Sequence, residues 1–164
     1  MEIKFGPRGT LQIDNAAIIF RNFAGREGQY NRKGERSFSV IIPTEEMKDM
    51  LVEDINRYGV GWNVRIRPPR NADEAPFMHL PVKINFNDLG PKVYLRSGNN
   101  TVELDEESVA CLDDVEIQSV DMDIRSYDSM VNGVAYRTAY LKAIRVNQEV
   151  NRFAESNGGF RDDF

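Results

Sequence analysis

The sequence predicts a mainly β fold, a small and partly open barrel carrying one longer and one short helix, from three observations. Apolar and polar residues alternate over many short stretches, the period-two pattern of half-buried strands. Four of these stretches pair into two long hairpins across turn-forming residues. In the last third, the apolar face slips by one residue near Gln118-Ser119. Such a slip is a β-bulge, the device that bends strands into barrels. A β-sandwich is the alternative, because alternation alone does not fix strand order.

The elements follow in order. Leu11 to Phe23 is apolar-rich, with Ile18, Ile19, Phe20 and Phe23, and no helix cap precedes it. A polar stretch punctuated by Gly25, Gly28 and Gly34 leads to a second strand, in which Phe38, Val40 and Ile42 share a face. Phe20, Phe38 and, further on, Phe86 are assigned to the core. Thr44 is an N-cap, Glu45 and Glu46 occupy the first turn where the helix dipole favours them, and Gly59 lies past the end. Met47, Met50, Leu51, Ile55 and Tyr58 recur at helical spacing and are expected to face the core. Trp62, Val64 and Ile66 then alternate with Asn63, Arg65 and Arg67, which places Trp62 on the core face of a strand.

Pro68 to Pro76 reads as a loop. Leu80, Val82, Ile84 and Phe86 form the next strand, and Val93 and Leu95 a short one after Pro91. A short helix is expected over Asp105 to Leu112, capped by Asp105 and burying Val109 and Cys111. Val115 to Ile124 and Val134 to Val146 make the second long hairpin around Asn132-Gly133, a strong turn pair. The pattern ends near residue 150, giving a domain over 1–150 and a flexible acidic tail over 151–164. Among small barrels this layout fits an OB-fold best.

Composition limits the function. With 164 residues, 41% hydrophobic and 29% charged, the chain is one ordinary soluble domain. No stretch has the length and apolarity of a membrane span, and the start lacks a leader pattern, so a cytoplasmic location is expected. A single His79 and a single Cys111 are too few for a Cys/His metal site, and no cofactor motif is present. The net charge of −5 is unevenly spread, with +3 over residues 1–100 and −8 over residues 101–164. A basic, polyanion-binding face on an acidic protein is compatible with that split.

The candidate face combines cations with aromatics. Arg65, Arg67, Lys83, Lys92, Tyr94 and Arg96 point outward from the central strands, and the first hairpin loop adds Arg26, Tyr30, Arg32, Lys33 and Arg36. Single-stranded nucleic acid needs that mixture, because charge tracks phosphates while flat rings stack on bases. For catalysis, the best material is Asp121 and Asp123 near Asp113 and Asp114, a carboxylate set able to hold Mg²⁺ for phosphodiester chemistry. Arg125 continues the same face, so solvent-side alternation explains that set equally well, and a non-enzyme is expected.

The segment Gly158-Gly159-Phe160-Arg161-Asp162-Asp163-Phe164 joins a mobile glycine pair to two carboxylates and a final aromatic. Such a peptide is a ligand for a basic pocket on another protein. Its tip, Asp162, Asp163 and Phe164, resembles that of single-stranded DNA-binding proteins, particularly those of bacteriophages. Bacterial relatives carry Ile-Pro before the Phe, which this chain lacks. The resemblance implies an OB-fold that coats ssDNA with little sequence preference during replication, recombination or repair in the host cytoplasm. It also implies a tail that recruits partner proteins and can occupy the DNA groove. Oligomeric state is left open, and an assembly protein of the virion with a docking tail is the competing class.

Overall fold

The computed structural model describes residues 1–150. The expected tail residues Asp162, Asp163 and Phe164 therefore lie outside the described residues. The strands are β1 (Glu2–Phe5), β2 (Thr10–Ala16), β3 (Ile18–Asn22), β4 (Arg36–Ile41), β5 (Arg65–Arg67), β6 (Phe77–Ile84), β7 (Lys92–Ser97), β8 (Asn100–Leu104), β9 (Ile117–Val131) and β10 (Val134–Gln148). One α-helix, α1 (Glu45–Glu53), lies between β4 and β5, and a 3-10 turn spans Val109–Asp113. Among the described residues, no helix is long and apolar enough to cross a membrane.

The sheet runs β1-β2-β9-β10-β6-β4-β3. Strands β2 and β3, near and at the two ends of that order, are consecutive halves of one bent strand: β2 pairs with β9, β3 with β4, and the Ala17 carbonyl between them accepts from the Ile41 N–H at 2.9 Å. The chain itself thus joins the two ends of the circuit. Only one short parallel contact, at Tyr140↔Lys83, links β10 to β6 before β10 continues alongside β7. A five-stranded circuit with one parallel pair and a seam closed by chain continuity is a partly open OB-type barrel.

Bulges produce the bend. The extra residue opposite Asn147 and Gln148 is Gln118, where the sequence places it, and a second bulge falls at Lys142. Two more lie in the bent strand, between Ile13 and Ala16 and between Ile19 and Asn22. Each carries one residue in the left-handed region, Asn15 at φ 54° and Phe20 at φ 57°. The barrel encloses Leu11, Ile13, Val40, Leu80, Val82, Val120, Ile124 and Ile144, with Phe23 stacked on Phe38 at 5.4 Å.

Several expectations change. The helix stops at Glu53 because the Asn56 side chain accepts from the Tyr58 and Val60 N–H groups at 2.8 and 3.0 Å, offering the backbone a turn instead. Only Leu51 of α1 is buried, while Met50 and Ile55 are exposed. Trp62 is buried as expected, but the strand after it is only Arg65–Arg67, and Ile66 is exposed. A Cβ at Gly61 would meet the Val52 carbonyl oxygen at 1.9 Å, so this chain reversal against α1 requires glycine. Cys111 is exposed, since a 3-10 turn with three residues per repeat buries Val109 and Leu112 instead. Strands β1 and β8 carry no alternation strong enough to announce them.

Candidate nucleic-acid interface

The outer face of β6 follows from its alternation. Met78, Leu80, Val82 and Ile84 point into the barrel, so Phe77, His79, Pro81 and Lys83 point out, and Asn85 follows in line. β4 lies antiparallel beside it, pairing Ser39 with Pro81 and Ser37 with Lys83. Together they floor an open groove of about 640 Å³, also lined by Phe20, Tyr30, Arg36, Arg65 and Tyr140.

An aromatic cluster stands at one end. Phe20 was assigned to the core, yet it is 51% exposed, because its left-handed backbone at the bulge turns the ring outward. The ring lies edge-on to Phe77 at 6.3 Å and to His79 at 5.4 Å, and Phe77 and His79 are 5.3 Å apart. The Arg67 guanidinium sits 5.6 Å from the Phe77 ring centre, and Arg65 pairs across the ladder with His79. Burial, then the charges of Arg65 and Arg67, push the His79 imidazole below its ordinary range and favour its neutral form. Its Nδ1 lies 2.9 Å from the Ser39 hydroxyl.

The loop before β4 forms the opposite rim. Asp113 accepts from the Phe23 and Ala24 N–H groups at 2.7 and 3.1 Å and fixes its start. Gly25, at φ 70°, lets the chain approach Gly34, whose N–H donates to the Gly25 carbonyl at 2.7 Å. The Asn31 amide donates to the carbonyls of Arg26, Arg32 and Glu35 and gathers the loop. The result is an ordered scaffold that leaves Tyr30 92% exposed at the groove.

The structure divides the sequence-derived site. Tyr30, Arg36, Arg65 and Lys83 meet at the groove; Arg67 adjoins it, and Arg26, Arg32 and Lys33 sit exposed on the rim loop. Arg36 itself is committed, donating from Nε to the Phe23 carbonyl at 2.9 Å and pairing with Glu106 at 3.2 Å over the Phe86 ring. Phe86 is accordingly half-buried. Arg32 pairs loosely with Glu35 at 4.0 Å, whereas Arg65, Arg67, Lys83, Arg26 and Lys33 enter none of the ion pairs of the described residues. Tyr94 and Arg96 lie elsewhere, on β7: Tyr94 beside Asp14, Asp121, Asp123 and Arg145, and Arg96 beside Asn15, Gln118 and Asn147.

Asp121 is a structural acid. Burial alone would raise its carboxyl, but bonds from the Asn15 N–H at 2.9 Å, Arg145 at 2.8 Å and Asn147 at 3.1 Å outweigh it and hold the group below the ordinary carboxylate range. It stitches the β2 bulge to β10. Phe20, Phe77, His79 and Tyr140 were not recognised as site residues. Phe77 and His79 precede Leu80, where the apolar alternation begins, and the run Ile18-Ile19-Phe20 carries no signal for a bulge.

Comparisons with known proteins bear on the family and the fold. The sequence matches the family described as "Putative phage ssDNA-binding domain" over residues 2–155. No curated protein matches it. Among solved structures, it is similar to the single-stranded DNA-binding protein from bacteriophage Enc34, at 11% identity and TM-score 0.52, covering 93% of this chain and 91% of that one. The same protein in complex with ssDNA gives 11% identity and TM-score 0.51, covering 90% of each chain. At that identity the likeness supports the fold, and the match across nearly the whole sequence supports the family: the chain belongs to the phage ssDNA-binding domain family.

Proposed function

We propose that this protein coats single-stranded DNA with little sequence preference, without catalysis, and that the strand crosses the barrel over the β4–β6 groove. The observation that carries the reading is the Phe20–Phe77–His79 cluster, in which Phe20 is exposed and Phe77 and His79 are half-buried, flanked by Arg65, Arg67 and Lys83, cations with no carboxylate partner among the described residues. Bases stack on the rings while the cations meet phosphates. Protection of strands during replication or recombination is the role such chemistry serves. The segment Gly158–Phe164, with its paired acids and aromatics, is the candidate recruiter of basic-pocketed partner proteins.

The test is fluorescence anisotropy of labelled oligo-dT, against duplex DNA, across a salt series. Trp62 is buried away from the groove, so its emission is a poor reporter and the label belongs on the DNA. Contact with about four phosphates gives a log–log salt slope near −3. Equal affinity for duplex, or no salt dependence, would sink the proposal. Deleting residues 158–164 leaves or tightens ssDNA binding while ending partner recruitment; a weaker complex with DNA contradicts that division.

A further inference from the structure

Strand β1 is a margin of the sheet: it pairs with β2 and has no partner on its other side among the described residues. The register sets Ile3 opposite Ile13 and Phe5 opposite Leu11, both buried in the barrel, so Ile3 and Phe5 lie on the core side. Glu2 and Lys4 lie on the solvent side, opposite Asp14 and Gln12. Alternation also fixes which backbone groups are free. The Gly6 N–H donates to the Thr10 carbonyl at 3.0 Å, so the N–H and C=O of Glu2 and Lys4 turn towards β2 as well. Those of Ile3 and Phe5 therefore face outward, a row of groups on which another strand can pair.

We propose that β1 is the contact between two copies of this chain, paired antiparallel about a two-fold axis at Ile3. The segment Met1-Glu2-Ile3-Lys4-Phe5 complements itself in that register. At the axis Ile3 faces the second copy's Ile3, and their outward backbone groups exchange the two bonds of a hydrogen-bonded pair. On the core side Met1 meets the second copy's Phe5, a ring left 37% exposed in the single chain. On the solvent side Glu2 meets the second copy's Lys4, and the axis repeats that pair. Within one copy Glu2 stands opposite Asp14, a like charge that destabilises the ladder. Neither Glu2 nor Lys4 enters an ion pair of the described residues, so the second copy supplies the cation that Glu2 lacks. The free strands β5 and β8 do not match themselves in this way. An axis at Ile66 sets Arg65 against the second copy's Arg67, and one at Val102 opposes Thr101 to Glu103 without a charge pair. Strand β1 contributes no residue to the β4–β6 groove, so the pairing leaves both grooves open and does not depend on how they are read.

The experiment is sedimentation of the full chain over a concentration series without nucleic acid. The unmodified protein should show a monomer–dimer equilibrium. Glu2→Lys or Lys4→Glu alone opposes like charges twice across the axis and should weaken dimerisation about tenfold or more. The double variant Glu2→Lys/Lys4→Glu restores opposite charges in reversed order and should return to within about threefold of the parent. An equimolar mixture of the two single variants should form heterodimers, counted by native mass spectrometry, more readily than either variant dimerises alone. Far-UV circular dichroism should be unchanged in every variant, since both side chains are exposed. A monomer at every concentration overturns the proposal. So does a dimer that both single variants preserve, which lies elsewhere on the molecule, or a double variant and mixture no better than the single variants.

Discussion

Phe20 concentrates the argument in one side chain. A non-glycine residue at φ 57° is held at a cost of roughly 1–2 kcal/mol, and an exposed ring recovers little of that by burial. Strain maintained for an exposed aromatic is what a binding surface requires. Asparagine tolerates the left-handed region, so Phe20→Asn should keep thermal stability within about 1 kcal/mol of the parent. The same change should lower ssDNA affinity about fivefold or more, the loss of one stacked base at about 1–3 kcal/mol. Melting curves beside anisotropy titrations check this; reduced stability with unchanged binding would contradict it. His79 supplies a pH signature. Its folded imidazole titrates below its unfolded value of about 6.5, so the unfolded chain binds the proton more readily. The stability it contributes is therefore present above about pH 6.5 and is lost as pH falls from there through the depressed folded value. His79→Phe should flatten that decline in a series of denaturant melts, and an unchanged decline would show that other groups cause it.

At the scale of elements, legibility tracked the strength of the periodic signal. β4, β6 and both arms of the β9–β10 hairpin show clean alternation, and the Gln118 bulge was readable as a slip in that alternation. The end of α1 was not, because Asn56 intercepts the backbone by a local side-chain bond that hydrophobic spacing does not register. The hairpin is oriented by a contact no pattern announces. Arg137 is 3% exposed and donates to the Asp54 carbonyl, with carboxylates of Asp54 and Asp128 each at 3.7 Å and Trp62 beneath it. Trp62 in turn donates to Asp54 at 2.9 Å. Removing one partner from a fully buried pair costs about 3–5 kcal/mol, and Asp54 is partly exposed, so Arg137→Met should cost roughly 2 kcal/mol. In a chain of this size that lowers the melting temperature by about 4–8 °C. An unchanged melting temperature would mean that the cluster does not hold α1 to the hairpin.

Across the whole molecule, the charge split visible in the sequence becomes two different walls. The groove cations Arg65, Arg67 and Lys83 come from the first hundred residues, while Asp121 and Asp123 beside Tyr94 come from the acidic remainder. The barrel and the basic character of its face were legible because both are sums over many residues. Which cations share a surface was not, since Tyr94 and Arg96 ride on β7, carried away from β6 by the handover of β10 from one partner to the other. The aromatic half of the site was hidden for a related reason: a bulge reverses the facing of a single residue without altering composition. The most direct measurement of the central claim is an amide NMR perturbation map on adding oligo-dT. The account predicts the largest shifts at Phe20, Tyr30, Phe77, His79 and Lys83, with little change at Tyr94 and Arg96. Shifts concentrated on the Tyr94–Arg96–Arg145 wall, with the β4–β6 face silent, would contradict it.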